Sequence, residues 1–330
     1  MHYNSLIDRY NRHINYLRIS IIDHCNLRCI YCSPSNNIFK LPKKEILTYE
    51  EILRLVNIGV KLGISKVRIT GGEPLIRKNL YDFLIQLNHI KGIDDVSLTT
   101  NGVLLKDNID KIKSSGIKRI NISLDTLSRQ KYYKITGVDA FKKVWEGINM
   151  ALSEGFYPIK LNVVALNGIN DDELEAFGKL SIEYPFHIRF IEYMPFGTEY
   201  MNKAGHLLAP EMKNILKRLG NMIPINTCAN NGTAERYRFE NAKGEIGFIS
   251  PLSRHFCSTC NRLRLTANGM LRSCLLSDRQ TDIKGPLRAG ASDQVLAGIF
   301  LKAVFFKQDK HHVICSRDSH ISGRMRAIGG

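Results

Sequence analysis

The sequence predicts an α/β protein: a parallel sheet of six strand–helix units over residues 1–196, then a smaller α+β unit over residues 197–330. Two patterns carry this reading. Short β-branched runs alternate with helical patterns in the first part, and hairpin signals replace them in the second. With 330 residues, 44% hydrophobic and 24% charged, the chain has material for one large and one smaller globular unit.

The strands come first. LRISII (17–22), KVRIT (66–70), DVSLTT (95–100), RINISLD (119–125), IKLNVVAL (159–166) and HIRFIEYM (187–194) read as buried strands. Between them, TYEEILRLVNIGVKLG (48–63) opens on Thr48 as N-cap, with Glu51 at the capping-box position. NLYDFLIQLNHI, LKDNIDKIKSSG, AFKKVWEGINMALSEG and DDELEAFGKLSIEY follow as helices, and Gly63, Gly116 and Gly155 are C-cap signals. Such units imply right-handed crossovers. Six units fall short of the eight of a closed barrel, so the choice lies between a partial (β/α)6 barrel and an open doubly wound sheet. In either, ligand-binding loops are expected at the C-terminal ends of the strands.

After residue 196, PFGTEYMNKAGHLLAP reads as a connection. ERYRFENAKGEIGFIS reads as a hairpin around Lys243–Gly244, and LRLTANGMLRSCLL as one turning at Asn268–Gly269. SDQVLAGIFLKAVFF reads as a helix.

No apolar run approaches a membrane span, and MHYNSLIDRY lacks a secretory h-region, so the expected compartment is the cytoplasm. The net charge of +16 points to an anionic partner, but it is spread along the chain without a basic block. In a reducing compartment, eight cysteines are not a disulfide framework. Six form two sets: Cys25, Cys29 and Cys32, then Cys257, Cys260 and Cys274. Cys228 and Cys315 stand apart as ordinary thiols.

HCNLRCIYC (24–32) follows the first strand and offers three thiols where a structural zinc site takes four ligands. Three thiolates on a [4Fe–4S] cluster leave one iron open to an outside ligand. This Cys-x3-Cys-x2-Cys spacing, with Tyr31 before the last cysteine, resembles radical S-adenosylmethionine (SAM) enzymes. The resemblance implies that the open iron chelates the methionyl group of SAM, whose reductive cleavage yields a 5′-deoxyadenosyl radical. It also implies the partial barrel. RITGGEPLIR, with Gly72 and Glu73 at the end of the second strand, is similar to the segment of that family that receives the methionyl part.

FCSTCNRLRLTANGMLRSC again gives three thiols, as Cys-x2-Cys-x13-Cys. A zinc ribbon and a second open cluster both remain compatible with that spacing. Arg262 and Arg264 share one face of the strand that follows, suited to bidentate phosphate binding or to plain solvation.

FCSTCNRLRLT, LRISIIDHCNLRCIYC and the terminal GRMRAIGG together resemble the MoaA family, the GTP 3′,8-cyclases of molybdenum cofactor biosynthesis, from about Tyr16 to Gly330. The resemblance implies two [4Fe–4S] clusters and SAM as cofactors. It implies SAM contacts at Tyr31, Gly72, Glu73, Ser123 and Met194. It implies GTP contacts at Arg18, Arg68, Thr99, Lys160, Arg262, Leu263 and Arg264, and catalytic roles for Arg262, Arg264, Gly329 and Gly330. Hydrogen abstraction from ribose C3′ and attack on guanine C8 would give the cyclic nucleotide. A flavodoxin- or ferredoxin-like electron donor and a following enzyme that takes the product are implied partners. Neither nucleic acid nor membrane is expected, and the chain is a monomer or homodimer. A P-loop, GxxxxGK[ST], is absent from the sequence.

Four departures from the family pattern stand out: Ser33 after Cys32, Asn268 in the turn, Arg326 near the tail, and no tryptophan over 198–209. Two other readings are a peptide-modifying radical SAM enzyme with an auxiliary cluster and a zinc-bearing nucleic-acid-binding protein.

Overall fold

The computed structural model describes residues 5–32, 40–194, 206–225, 232–311 and 325–329, the side chain of Arg326 excepted. Six parallel strands follow the chain order: β1 (Tyr16–Ser20), β2 (Lys66–Thr70), β3 (Asp95–Thr100), β4 (Arg119–Ser123), β5 (Ile159–Ala165) and β6 (Phe186–Glu192). Neighbours in the sheet are neighbours in sequence, with no reversal of order. That excludes the doubly wound alternative, and β1 and β6 are not paired, so the barrel is partial.

Helices α1 (Tyr49–Lys61), α2 (Leu80–Asn88), α3 (Ile109–Ser114), α4 (Arg129–Thr136), α5 (Phe141–Ser153) and α6 (Leu174–Glu183) separate the strands. Thr48 and Glu51 form the expected capping box of α1. Leu17 and Ile19 of β1 are fully buried, with Ile52, Leu55 and Val56 of α1 in the same apolar core. The intervening residues Tyr16 and Arg18 therefore point into the barrel, because strand side chains alternate.

The remaining elements are α7 (Ala209–Leu216), β7 (Met222–Pro224), β8 (Glu235–Phe239), β9 (Glu245–Ile249), β10 (Arg262–Leu265), β11 (Met270–Arg272), β12 (Thr281–Asp282), α8 (Lys284–Arg288), α9 (Asp293–Phe305) and α10 (Met325–Ile328). Both expected hairpins form, as β8–β9 and β10–β11. Their strands extend the barrel sheet at both edges: β10 runs parallel to β1 and β9 parallel to β6. One sheet of 12 strands therefore runs through both units. The boundary expected after residue 196 lies outside the described residues, as do Ser33, Cys228, Cys315 and Gly330. Among the described residues, no helix is long and apolar enough to cross a membrane.

The sequence reading missed α4, α7, α8 and α10 and the short strands β7 and β12. RQKYYKIT (129–136) is polar and buries only Tyr132, Ile135 and Thr136, too thin a stripe to stand out. Its caps were visible: Ser128 accepts from the Lys131 amide, and Gly137 takes the left-handed conformation.

Candidate active site

The interior of the partial barrel encloses a cavity of about 380 Å³. Strand register decides what faces it. Arg264, Arg18 and Arg68 stand level on three adjacent strands. Thr99, Asn121 and Lys160 form a second row, and Ser123, Asn162 and Arg189 a third.

The first cysteine set occupies the loop after β1 and lines one mouth of the cavity. Backbone contacts fix this loop from two sides. The Arg28 and Ile30 amides donate to the Thr136 and Ile135 carbonyls at 2.8 and 2.9 Å, so the unsatisfied C-terminal carbonyls of α4 hold it. The Gly72 amide donates to Ile22 and the Glu73 amide to His24, at 2.6 and 2.8 Å. Asn101 donates to the Cys25 sulfur at 3.6 Å. Burial, with Cys32 and Asp125 beside it, pushes the Cys29 thiol well above its ordinary value. Thiols packed this closely suit a metal centre, which favours their charged form.

The second cysteine set lies elsewhere than expected. Cys260 precedes β10, whose Arg262 pairs with Tyr16 at the start of β1. Cys274 follows β11, which returns antiparallel and places it level with Arg262. This set therefore sits at the N-terminal ends of the parallel strands, opposite the first. Ligands were expected at the C-terminal ends; instead the cavity runs between two thiol sets, separated by roughly 15 Å of strand. The chain from β9 to β10 makes this possible by running back along the strands between the two sheet edges. Burial opposes the Cys260 thiolate, but Arg262 and Lys307 bring its pKa down to about 6.

Between the two sets the wall is cationic. Burial and then the neighbouring Arg264 push the Arg18 guanidinium well below its ordinary value. Burial likewise lowers Arg189 and Arg264 to about 9, and burial together with Arg189 lowers Lys160 to about 6. The carboxylates nearby are otherwise engaged. Asp95 pairs with Arg119; Asp125 accepts from the Tyr31 hydroxyl and the Val164 amide; Glu192 accepts from the Ala209, Leu252 and Ser253 amides. Among the described residues, no carboxylate pairs with Arg68, Arg189, Arg262, Arg264 or Lys160. Thr99 Oγ1 and Asn162 Oδ1 are buried at this wall with no hydrogen-bond partner among the described residues. Concentrated positive charge and orphaned polar atoms fit a bound polyanion that also carries hydroxyl or amide groups.

Arg18, Tyr31, Arg68, Gly72, Thr99, Ser123, Lys160, Met194, Arg262, Arg264 and both cysteine sets line the cavity. Three predicted residues stand differently. Glu73 is buried behind it, its carboxylate accepting from the Leu75 amide, the Thr100 hydroxyl and the Asn101 amide. Burial raises its pKa to about 7 against those bonds. It braces the β2 and β3 loops. Leu263 alternates with Arg262 and Arg264 and points into the core. Gly329 is buried beside the wall, its carbonyl accepting from Arg264. Its φ of +78° favours glycine, and a Cβ there would meet Thr70 and Ser20 at 3.0 and 3.2 Å.

Sequence reading missed Asn162 and Arg189, although both sit at inward positions of strands it had identified. It also missed His255 and His311, whose Nδ1 and Nε2 lie 2.9 Å apart beside Cys257. They are distant in sequence, so no spacing signalled them.

Comparison with known proteins agrees with this geometry. Residues 19–180 match the Radical SAM superfamily and residues 186–313 match Molybdenum Cofactor Synthesis C. The GTP 3′,8-cyclase of Pelotomaculum thermopropionicum is 46% identical over 98% of this chain and 99% of its own. That of Moorella thermoacetica is 48% identical over 93% and 95%, respectively. The chain belongs to the GTP 3′,8-cyclase family. Among solved structures, Streptococcus suis SuiB bound to S-adenosylmethionine superposes with a TM-score of 0.60 at 17% identity, covering 88% of this chain and 69% of that one. Native anSMEcpe with bound AdoMet gives 0.54 at 16%, covering 91% and 82%. At such identities these two likenesses speak to the fold, which is the radical SAM partial barrel.

Proposed function

We propose that this chain is a radical SAM GTP 3′,8-cyclase that acts in molybdenum cofactor biosynthesis and forms 3′,8-cyclo-7,8-dihydroguanosine 5′-triphosphate. The observation that carries the reading is one cavity with an incomplete thiol set at each end and, between them, buried cations that lack carboxylate partners among the described residues. Cys25, Cys29 and Cys32 are assigned to one [4Fe–4S] cluster, and Cys257, Cys260 and Cys274 to the other. With SAM, these groups supply the one-electron reduction and the hydrogen-abstracting radical chemistry when bound.

The chain itself supplies position and charge. Gly72, Ser123, Met194 and the Tyr31 segment are assigned to SAM, and Glu73 is assigned the bracing of that wall instead of a direct contact. Arg18, Arg68, Lys160 and Arg189 neutralise the triphosphate, while Thr99 and Asn162 offer hydrogen-bonding atoms. Arg262 and Arg264 orient the nucleotide against the second thiol set. Gly329, whose carbonyl accepts from Arg264, holds that arginine in place, and Gly330 is assigned a part in placing the substrate. Fixing both reactants in the cavity of the partial barrel turns the hydrogen transfer into an intramolecular event and limits water. Residues 1–196 provide the first site and residues 197–330 the second. The reading includes a cytoplasmic setting, a flavodoxin- or ferredoxin-like electron donor and a following enzyme that consumes the product, with the chain a monomer or homodimer.

Changing Arg262 or Arg264 to Ala should weaken GTP binding by about 1–3 kcal/mol, the range for charged hydrogen bonds, and leave SAM affinity unchanged. Equilibrium binding of both ligands to reconstituted protein tests this. Unaltered GTP affinity in both variants would make these arginines a merely basic strand.

Lys160 gives a pH signature. Its pKa of about 6 leaves it largely neutral in the empty site at pH 8. An arriving triphosphate favours the charged form and raises that pKa, so GTP binding takes up a proton at this residue. Calorimetry at pH 8, in buffers of different ionisation enthalpy, should show about one proton more taken up by the native protein than by Lys160→Met. Equal uptake in the two proteins would contradict the assignment.

A further inference from the structure

Lys307 lies just beyond α9 and is 3% exposed. Its Nζ donates to the Arg262 carbonyl at 3.0 Å and to the Ser273 carbonyl. These two carbonyls belong to the backbone next to Cys260 and Cys274. Lys307 does not line the cavity; it stands behind the wall that carries the second thiol set.

A second buried cation touches the same region and is treated differently. Arg12 pairs with Asp8 at 2.5 Å. Its other N–H groups donate to the carbonyls of Cys257, Gln308 and Asp309 at 2.7, 2.6 and 2.9 Å. Arg12 is thus neutralised on site and fastens the Cys257 backbone to the segment after Lys307. Among the described residues, Lys307 has no carboxylate partner. A buried ammonium without a counter-charge is costly, and carbonyl dipoles solvate it without neutralising it. Its charge is felt at the Cys257 and Cys260 thiols. A [4Fe–4S] cluster on three thiolates is net negative in both redox states and more so when reduced.

We propose that Lys307 is the resident counter-ion of the second cluster, a positioning residue that raises its reduction potential and holds its cysteine segments together. The inference rests on the assignment of Cys257, Cys260 and Cys274 to a cluster, and goes beyond it in explaining why a lysine is buried there. A nearby positive charge stabilises the reduced, more negative state, so the charge and not only the bulk of the side chain should matter.

The test uses the full chain with Cys25, Cys29 and Cys32 replaced by Ala, so that only the second cluster reports. Iron content comes first. A parent without iron at this site overturns the cluster assignment and the inference with it, before any potential is read. With iron present, the midpoint potential is followed by EPR during redox titration. Lys307→Met should lower it by about 59 mV or more, a tenfold shift in a one-electron equilibrium, and Lys307→Arg should restore most of the difference. An unchanged potential in Lys307→Met overturns the inference. If Lys307→Met fails to retain the cluster, Lys307→Arg decides: retention of iron supports the role of charge, and loss of iron in that variant too overturns it.

Discussion

Cys25→Ala is expected to abolish SAM cleavage, whereas Cys274→Ala should leave SAM cleavage measurable and stop formation of the cyclic nucleotide. The two thiol sets sit at opposite ends of one cavity, and their backbone supports are separate. The first is held by the α4 carbonyls and by the Ile22–Gly72 and His24–Glu73 bonds. The second is held by Arg12 and Lys307. Losing one set should therefore not unfold the other. Intact protein should approach eight irons per chain, and each variant about four. Deoxyadenosine and cyclised nucleotide are measured side by side in anaerobically reconstituted protein. Equal loss of both products in Cys274→Ala, with the first cluster shown intact by its spectrum, would defeat the division of labour. Zinc with no iron in the second set of the intact protein would defeat the assignment of that set.

Much of the fold was legible because the barrel strands are short, β-branched and buried, and their helices carry clear caps such as Thr48. What spacing could not give is which end of a strand a distant motif reaches. Cys257 and Cys260 precede a strand and Cys274 follows its hairpin partner, but the sequence does not say that β10 docks parallel to β1. That docking alone sends the second set to the far end of the barrel. The same limit hid the charged wall: Arg189 and Asn162 matter because of the residues beside them across the sheet. Glu73 shows the opposite limit. Its motif position suggested a ligand contact, and the structure adds a bracing role that the motif did not show, with three donors on its carboxylate. Helix α4 was missed for a third reason. Its value to the protein lies in carbonyls offered to the cysteine loop, and backbone acceptors leave no trace in side-chain periodicity.

Gly72→Ala should remove the first cluster while sparing the second, although the change adds a single methyl group. Gly72 has no unusual backbone angle to protect; what it protects is space. A Cβ at this position would overlap the carbonyl of His24 and approach the Cys25 amide nitrogen to 2.9 Å. These are backbone atoms, so no rotamer change relieves the overlap, and the loop or the end of β2 must move. Either movement breaks the short Gly72–Ile22 bond and the Glu73–His24 bond that carry the β1–β2 pairing past the strand ends. Moving Glu73 also disturbs its bonds to Thr100 and Asn101, and Asn101 is the side chain that donates to the Cys25 sulfur. Overpacking of this kind costs about 1–3 kcal/mol, which a domain of this size tolerates. Cluster geometry is less tolerant: a displacement near 1 Å can cost about a hundredfold in rate. The expected result is a folded chain with about four irons, at least a hundredfold less deoxyadenosine, and an unchanged EPR signal from the second cluster. A variant with full iron and native SAM cleavage would show that the loop yields without consequence, and that the contact between Gly72 and the cysteine loop is incidental to the cluster.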